Sequence, residues 1–415
     1  MFQAAEIVII GAGAIGCSIA MHLAEGGAKD VLVIDKAGIT HGSTWHAAGL
    51  VGQYRSAEDL ARLMNISVRL FETMQTETPI DWKPVGSLRV AASVARMREL
   101  AAAEPIARSY GIDLALLTPG EARGLYPYLN ADDLHGAAFL PGDGYVDPSS
   151  LTQALAGKAR RGGVRFVENT PVGALAHKNG RCTGVETAAG RIDCEKLVIT
   201  GGVWARAIGR MLGLNIPVAA VAHQYAVTGK RTDMPPNLPV LRDPDADFYV
   251  KPEVGGFAIG GWEAEPVLSA EGEMPSTFGM ELLPDDLERM LPVMEKAFHR
   301  IPVVGDVGIR RIVNGPIPVS PDGEPMLGRA TGFSNVYLGC GFTSGIAACG
   351  GAGQQLARLI QGGAFDFPIP SLDPARFGPA TADFNEMNRQ ACRAYAGYYK
   401  LSASNSELAQ ASPSL

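Results

Sequence analysis

The chain has 415 residues, with 36 basic and 43 acidic side chains and a net charge of −7. With 47% hydrophobic and only 19% charged residues it buries a core readily, which excludes disorder over most of its length. The acidic balance excludes the basic face that a nucleic-acid partner needs. Glycine is in excess, 50 residues or roughly 12% against about 7% on average, without the Gly-X-Y period of collagen, so the glycines serve tight turns and close backbone approaches.

The N-terminus runs from Glu6 straight into an apolar strand, with no basic n-region and no signal-peptide core, and no stretch of 18 apolar residues exists. The six cysteines, Cys17, Cys182, Cys194, Cys340, Cys349 and Cys392, form no CxxC pair. Neither a metal site nor a redox disulfide is expected, and buried reduced thiols of a cytoplasmic protein are.

In chain order, residues 7–10 form a short apolar run of the buried parallel-strand type. Gly11-Ala12-Gly13-Ala14-Ile15-Gly16 follows and opens a helix that runs to about Ala24 and ends at Gly26-Gly27. Residues 31–34 are the next strand, closed by Asp35 and Lys36. Residues 60–77 carry apolar side chains at helical spacing, 85–94 read as a strand and 96–110 as a helix. Between about 220 and 310 the texture changes to short runs broken by turns, at 222–228, 247–251 and 257–261. That predicts an antiparallel sheet, interrupted by two helices ending near Arg300. Residues 337–346 read strand, glycine loop, helix, with the helix reaching about Gln361.

The GxGxxG has the context that makes it informative: a strand before it, a helix after it, and Asp35 closing the following strand. Gly11 makes the tight turn, Gly13 lets a pyrophosphate approach the backbone, and Gly16 lets helix and strand pack. The helix N-terminus offers free N–H groups to phosphates, and Asp35 suits ribose hydroxyls. A nicotinamide enzyme continues as compact βα units. This chain instead places glycine-rich segments after Asp35 and closes the site from its far end, which suits the longer FAD. The glycines at 11–16, 42–52, 201–202 and 339–353 are all expected to approach that one extended cofactor.

Asp35, the stretch Gly42-Ser43-Thr44-Trp45-His46-Ala47-Ala48-Gly49-Leu50 and the segment 314–328 (NGPIPVSPDGEPMLG) resemble the D-amino-acid-oxidase-type flavoproteins. The similarity is greatest to dimethylglycine and sarcosine dehydrogenases and oxidases, and it covers about residues 5–365. The resemblance implies an α/β fold, a Rossmann-like FAD-binding domain interleaved with an antiparallel α+β substrate domain. It implies that His46 is joined covalently to the flavin 8α-methyl. His223, in an Ala-His-Gln-Tyr run, and Tyr249 would line the substrate pocket. Gly201, Trp204 and the loop Gly341-Phe342-Thr343-Ser344-Gly345-Ile346 would meet the cofactor, and Val172 its adenine. This loop departs from the family, which has one residue more between Ser344 and Gly345 and often an Asn where Thr343 stands. Arg55 is the first candidate cation for a substrate carboxylate, with Arg310 and Arg311 behind it.

The expected division is an FAD-binding domain over 1–85, 145–220 and 306–365, a substrate domain over 86–144 and 221–305, and a C-terminal extension over 366–415. Its Ser- and Ala-rich tail from Leu401 is expected to fray. The expected reaction is FAD-dependent oxidation of the C–N bond of a secondary or tertiary amino acid, N-methyl foremost, with oxygen or an electron-transfer protein as acceptor. Oxidation of a D-amino or cyclic imino acid, and an electron-relay subunit of a larger complex, are the alternatives. The chain stops where many family members continue into a folate-binding half. An N-methyl substrate would then release formaldehyde unless a separate folate-binding partner supplies that half.

Overall fold

A computed structural model of the chain describes residues 3–400, so the tail expected to fray lies outside the described residues. Strand β1 (Ala4–Ile10) leads through the glycine turn into α1 (Ala14–Glu25) and β2 (Val31–Ile34). Next come β3 (Leu50–Val51), α2 (Glu58–Glu77), β4 (Ser87–Ala91) and α3 (Val94–Ser109). Then follow β5 (Ala115–Leu117), α4 (Pro119–Leu125), β6 (Gly136–Leu140), β7 (Gly144–Tyr145) and α5 (Pro148–Arg161). Strands β8 (Arg165–Val167), β9 (Val172–Lys178), β10 (Arg181–Thr187) and β11 (Gly190–Ile199) precede α6 (Ala205–Arg210). The middle of the chain holds β12 (Ala219–Thr228), β13 (Val240–Asp243), β14 (Phe248–Glu253), β15 (Gly256–Gly261), β16 (Val267–Leu268) and α7 (Leu287–Arg300). The last elements are β17 (Ile309–Val319), β18 (Met326–Arg329), β19 (Val336–Cys340), α8 (Gly345–Ile360) and α9 (Phe384–Ala396).

One sheet has the order β18-β19-β11-β1-β2-β8, parallel from β19 to β8, with β9 and β10 as an antiparallel flap on β11. Its central strands are buried on both faces, which is why they read as unbroken apolar runs. Helices α1, α5 and α8 cover it, and α2 packs on α8. The second sheet has the order β16-β12-β15-β14-β13-β4-β6-β5, with β17 on the other side of β12. It is antiparallel, as expected, except where β13 runs parallel to β4. The fold is the expected α/β architecture joined to a sheet-rich unit.

Three details differ from expectation. The strand expected over 85–94 ends early, because Ser93 accepts a hydrogen bond from the Arg96 N–H at 3.1 Å and so caps α3. Only α7 and a short 3-10 turn, Ser269–Gly272, stand where two helices were expected, because Pro266, Gly272, Pro275, Gly279 and Pro284 interrupt the segment. The glycines beyond 345 serve helix packing instead of a cofactor. A Cβ on Gly351 would lie 2.2 Å from the Leu63 carbonyl oxygen of α2, and one on Gly353 would lie 2.1 Å from the Ser18 hydroxyl of α1.

Candidate active site

A groove opens where the glycine turn after β1 meets the ends of β11 and β19. Gly11, at φ +113°, is held there because any side chain would strike the Thr200 carbonyl. Gly11, Gly13, Ala14, Ile15, Asp35, Lys36, Gly42, Ser43 and Thr44 line the groove from one side. Val172, Gly201, Trp204 and the loop residues Gly341, Phe342, Thr343, Gly345 and Ile346 line it from others. Thr170 and Pro171, not singled out in the sequence, and Ile317 and Pro318 of the 314–328 segment also line the wall. Gly16 lies behind the turn, where a Cβ would meet the Gly11 carbonyl oxygen at 1.9 Å.

The Asp35 carboxylate accepts from the N–H groups of Ala12 at 2.6 Å and Ala37 at 2.9 Å. Burial nonetheless pushes its pKa up. Burial lowers that of Lys36, whose ammonium donates to the Ser276 carbonyl at 2.9 Å and lies 3.7 Å from the centre of the Trp204 ring. Two helices point their N-termini at the groove, α1 after Gly13 and α8 after Ser344, and neither N-cap residue supplies a side-chain cap. The buried Thr343 hydroxyl has no partner among the described residues. The Ala14 N–H at the start of α1 donates to the Thr44 hydroxyl at 3.2 Å, and two helix N-termini aimed at one largely apolar groove are what an extended dinucleotide with an anionic middle requires.

Besides Gly16, four expected residues stand outside that lining. Ser344 turns to the neighbouring cavity. Gly49 and Leu50 are framework, since a Cβ on Gly49 would meet the Val146 carbonyl oxygen at 2.1 Å and Leu50 pairs with Tyr145 across β3 and β7. His46 sits one layer back, 5% exposed, edge-on to Trp45, with its ring against Gly315 of β17. Burial, and secondarily His223, lowers its pKa to about 4, so its imidazole is neutral.

Gly315 is paired in the sheet with His223 of β12. His223 contacts the Tyr249 hydroxyl through Nε2 at 3.3 Å and the Tyr395 hydroxyl through Nδ1 at 2.8 Å, and its ring centre lies 5.0 Å from that of Trp262. Burial lowers the His223 pKa and raises those of Tyr249 and Tyr395 well above the usual phenol value. His223 and Tyr249 line neither the groove nor the neighbouring cavity, and the rings of Trp262 and Tyr395 pack against His223 at centre distances of 5.0 and 5.7 Å. Tyr398 stacks on Trp262 at 3.7 Å and also faces a second cavity, where Arg55 donates to the Ser344 hydroxyl at 2.7 Å and bonds to Tyr398. Burial, then Arg242 and Arg89, lowers the Arg55 pKa to about 10. Arg310 and Arg311 are exposed at the start of β17 and lie outside both cavities.

Tyr395 and Tyr398 of this cluster were missed. They come from α9 and the turn after it, in the region read only as a C-terminal extension. The run Ala394-Tyr395-Ala396-Gly397-Tyr398-Tyr399 was the available signal: so much aromatic surface at the end of a short helix needs a partner to cover it.

Residues 6–359 match the family model described as FAD dependent oxidoreductase. The chain belongs to this family. It is 36% identical over 387 residues to the mitochondrial dimethylglycine dehydrogenase of Rattus norvegicus, covering 91% of this chain and 45% of that protein. It is 34% identical over 405 residues to the mitochondrial sarcosine dehydrogenase of Homo sapiens, covering 95% and 44%. The chain thus spans about half the length of these curated relatives. Among solved structures it is similar to L-proline dehydrogenase from P. horikoshii, with a TM-score of 0.82, 28% identity, and 91% and 98% of the two chains covered. Among the described residues of this flavoprotein chain, no group of His, Cys, Asp and Glu is arranged to hold a metal, and no helix is long and apolar enough to cross a membrane. All six cysteines are free.

Proposed function

We propose that the chain oxidises the C–N bond of an N-methyl amino acid such as sarcosine, dimethylglycine or N-methylproline. The observation that carries this reading is the meeting of His46 and His223 at Gly315, on the strand whose Ile317 and Pro318 line the cofactor groove. Bound there, FAD supplies a hydride acceptor, so that the substrate leaves as an imine and hydrolyses to the demethylated amine and formaldehyde.

The chain's own residues do the rest. His46, neutral and buried, is the residue that tethers the flavin. Arg55 takes the substrate carboxylate in place of the Tyr398 hydroxyl it now holds. His223 and Tyr249 bind the amine and draw off its proton, because only the free base has a lone pair to stabilise the developing iminium. The FAD-binding domain is read as 1–85, 145–220 and about 320–365 and the substrate domain as 86–144, 221–319 and the 384–399 segment, because β17, expected on the FAD-binding side, pairs along its length with β12 in the second sheet. The free thiols support a reducing compartment such as the cytoplasm. Oxygen or an electron-transfer protein reoxidises the chain, and a folate-binding partner, where present, captures the one-carbon product.

A second reading, oxidation of a cyclic imino acid such as a proline derivative, is favoured by the match to almost the full length of L-proline dehydrogenase. Anaerobic titration of the flavin absorbance decides. Bleaching by sarcosine or dimethylglycine is expected. Bleaching by proline alone supports the second reading, and bleaching by no amine leaves an electron-relay subunit.

A further inference from the structure

Behind His223 a hydrogen-bonded chain runs through four elements, and its direction is fixed. Glu263, just past β15, is ion-paired with Arg289 of α7 at 3.0 Å, so it enters the chain as a carboxylate, which only accepts. Tyr395 of α9 donates to Glu263 Oε2. A phenol has one hydrogen, so at its 2.8 Å contact with His223 Nδ1 Tyr395 is the acceptor, and Nδ1 carries the proton. His223 Nε2 is then a lone pair and takes the Tyr249 hydrogen at 3.3 Å. The Tyr249 oxygen is left as an acceptor.

We propose that Glu263 and Tyr395 are positioning residues that lock His223 as its Nδ1–H tautomer, so that Tyr249 meets an ammonium substrate as an acceptor and the Tyr249–His223 pair takes its proton. For the identity of the substrate this rests on the amine-oxidising reading above. In the step, the substrate N–H bond breaks as a Tyr249 O–H bond forms, and the original Tyr249 O–H bond breaks as a His223 Nε2–H bond forms. The ammonium becomes a free amine and the imidazole an imidazolium, so charge and protons balance. The imidazolium keeps donating to the Tyr395 oxygen, and the Tyr395 O–H keeps donating to the Glu263 carboxylate. A carboxylate holds and stabilises a histidine base in this way elsewhere, and here it acts through an intervening phenol. The groups facing His223 are Tyr249 on β14, Tyr395 on α9, Glu263 after β15, Arg289 on α7 and His46 across Gly315. Glu263 favours the imidazolium, whereas burial and Arg289 oppose it.

The test compares the rate of anaerobic flavin reduction by sarcosine or dimethylglycine in wild-type, Tyr395→Phe and Glu263→Gln holoenzymes. Both variants are expected to be slower by about tenfold near pH 7 and no slower near about pH 10, where the amine arrives as the free base. An equal loss at every pH, or no loss, overturns the proposal, since a merely structural role lowers the rate throughout. A second measurement needs no substrate. In ¹⁵N-histidine-labelled protein, with His223 assigned by His223→Gln, the wild type is expected to show Nδ1–H and an unprotonated Nε2, and Tyr395→Phe to gain the Nε2–H form. Nε2–H in the wild type overturns the proposal. If no amine reduces the wild-type flavin, the amine-oxidising reading fails, while the tautomer measurement still decides the locking role.

Discussion

The ring of His46 lies so close to the Cα of Gly315 that an added Cβ would come within 2.5 Å of its Cε1. The missing side chain makes room for the imidazole against β17, at the residue paired with His223 in the sheet.

That contact makes Gly315→Ala informative. The methyl displaces His46, and an acid-precipitated pellet of the variant is expected to retain less than half of the wild-type yellow colour. His46→Ala is expected to retain none. A fully yellow pellet from His46→Ala removes this residue as the tether.

The lowered pKa of His46 has a consequence for stability. Between about pH 6.5 and about pH 4 the unfolded chain binds a proton at this position that the folded chain does not. Stability therefore falls as pH is lowered through that window, by on the order of 3 kcal/mol from this group. Urea midpoints of flavin-free wild type and His46→Asn at pH 7.5 and pH 5 check this. The variant is expected to lose less between the two pH values.

Arg55 is expected to act through its planar fork and not through charge alone. Arg55→Lys is expected to weaken the binding of an N-methyl amino acid by about tenfold or more. Binding of an N-methyl amine without a carboxylate is expected to change little. Dissociation constants from anaerobic flavin spectra separate the two.

Gly351 faces backbone, which does not yield as a flexible side chain does. Gly351→Val is expected to cost about 1–3 kcal/mol or more by forcing α8 away from α2. Thermal melts read the loss of stability. Because Gly351 lies outside the groove, the protein that remains folded is expected to carry its normal flavin content.

The glycine turn was legible because its signal is local: a strand, a turn needing positive φ at Gly11 and a helix occupy consecutive residues, with Asp35 a short helix and strand away. The stretch containing Ser43 and His46 was legible through resemblance. The glycines from 345 onward were misread because composition does not distinguish a backbone that approaches a ligand from one that approaches another helix. The aromatic cover was not read at all. Tyr395 and His223 are separated by 172 residues and belong to different elements, so no spacing rule connects them.

The sequence by itself determined the strand, glycine turn and helix at the N-terminus and the acidic residue Asp35 after the next strand, since each depends on neighbours along the chain. The tertiary structure alone decided three things: that His46 and His223 meet at Gly315, that Arg55 is held by Tyr398, and that Tyr395 joins Glu263 to His223. The physical reason is that hydrogen-bond direction and side-chain clearance depend on atoms from distant segments coming within about 3 Å of one another, and that proximity exists only once β12, β17 and α9 have packed together.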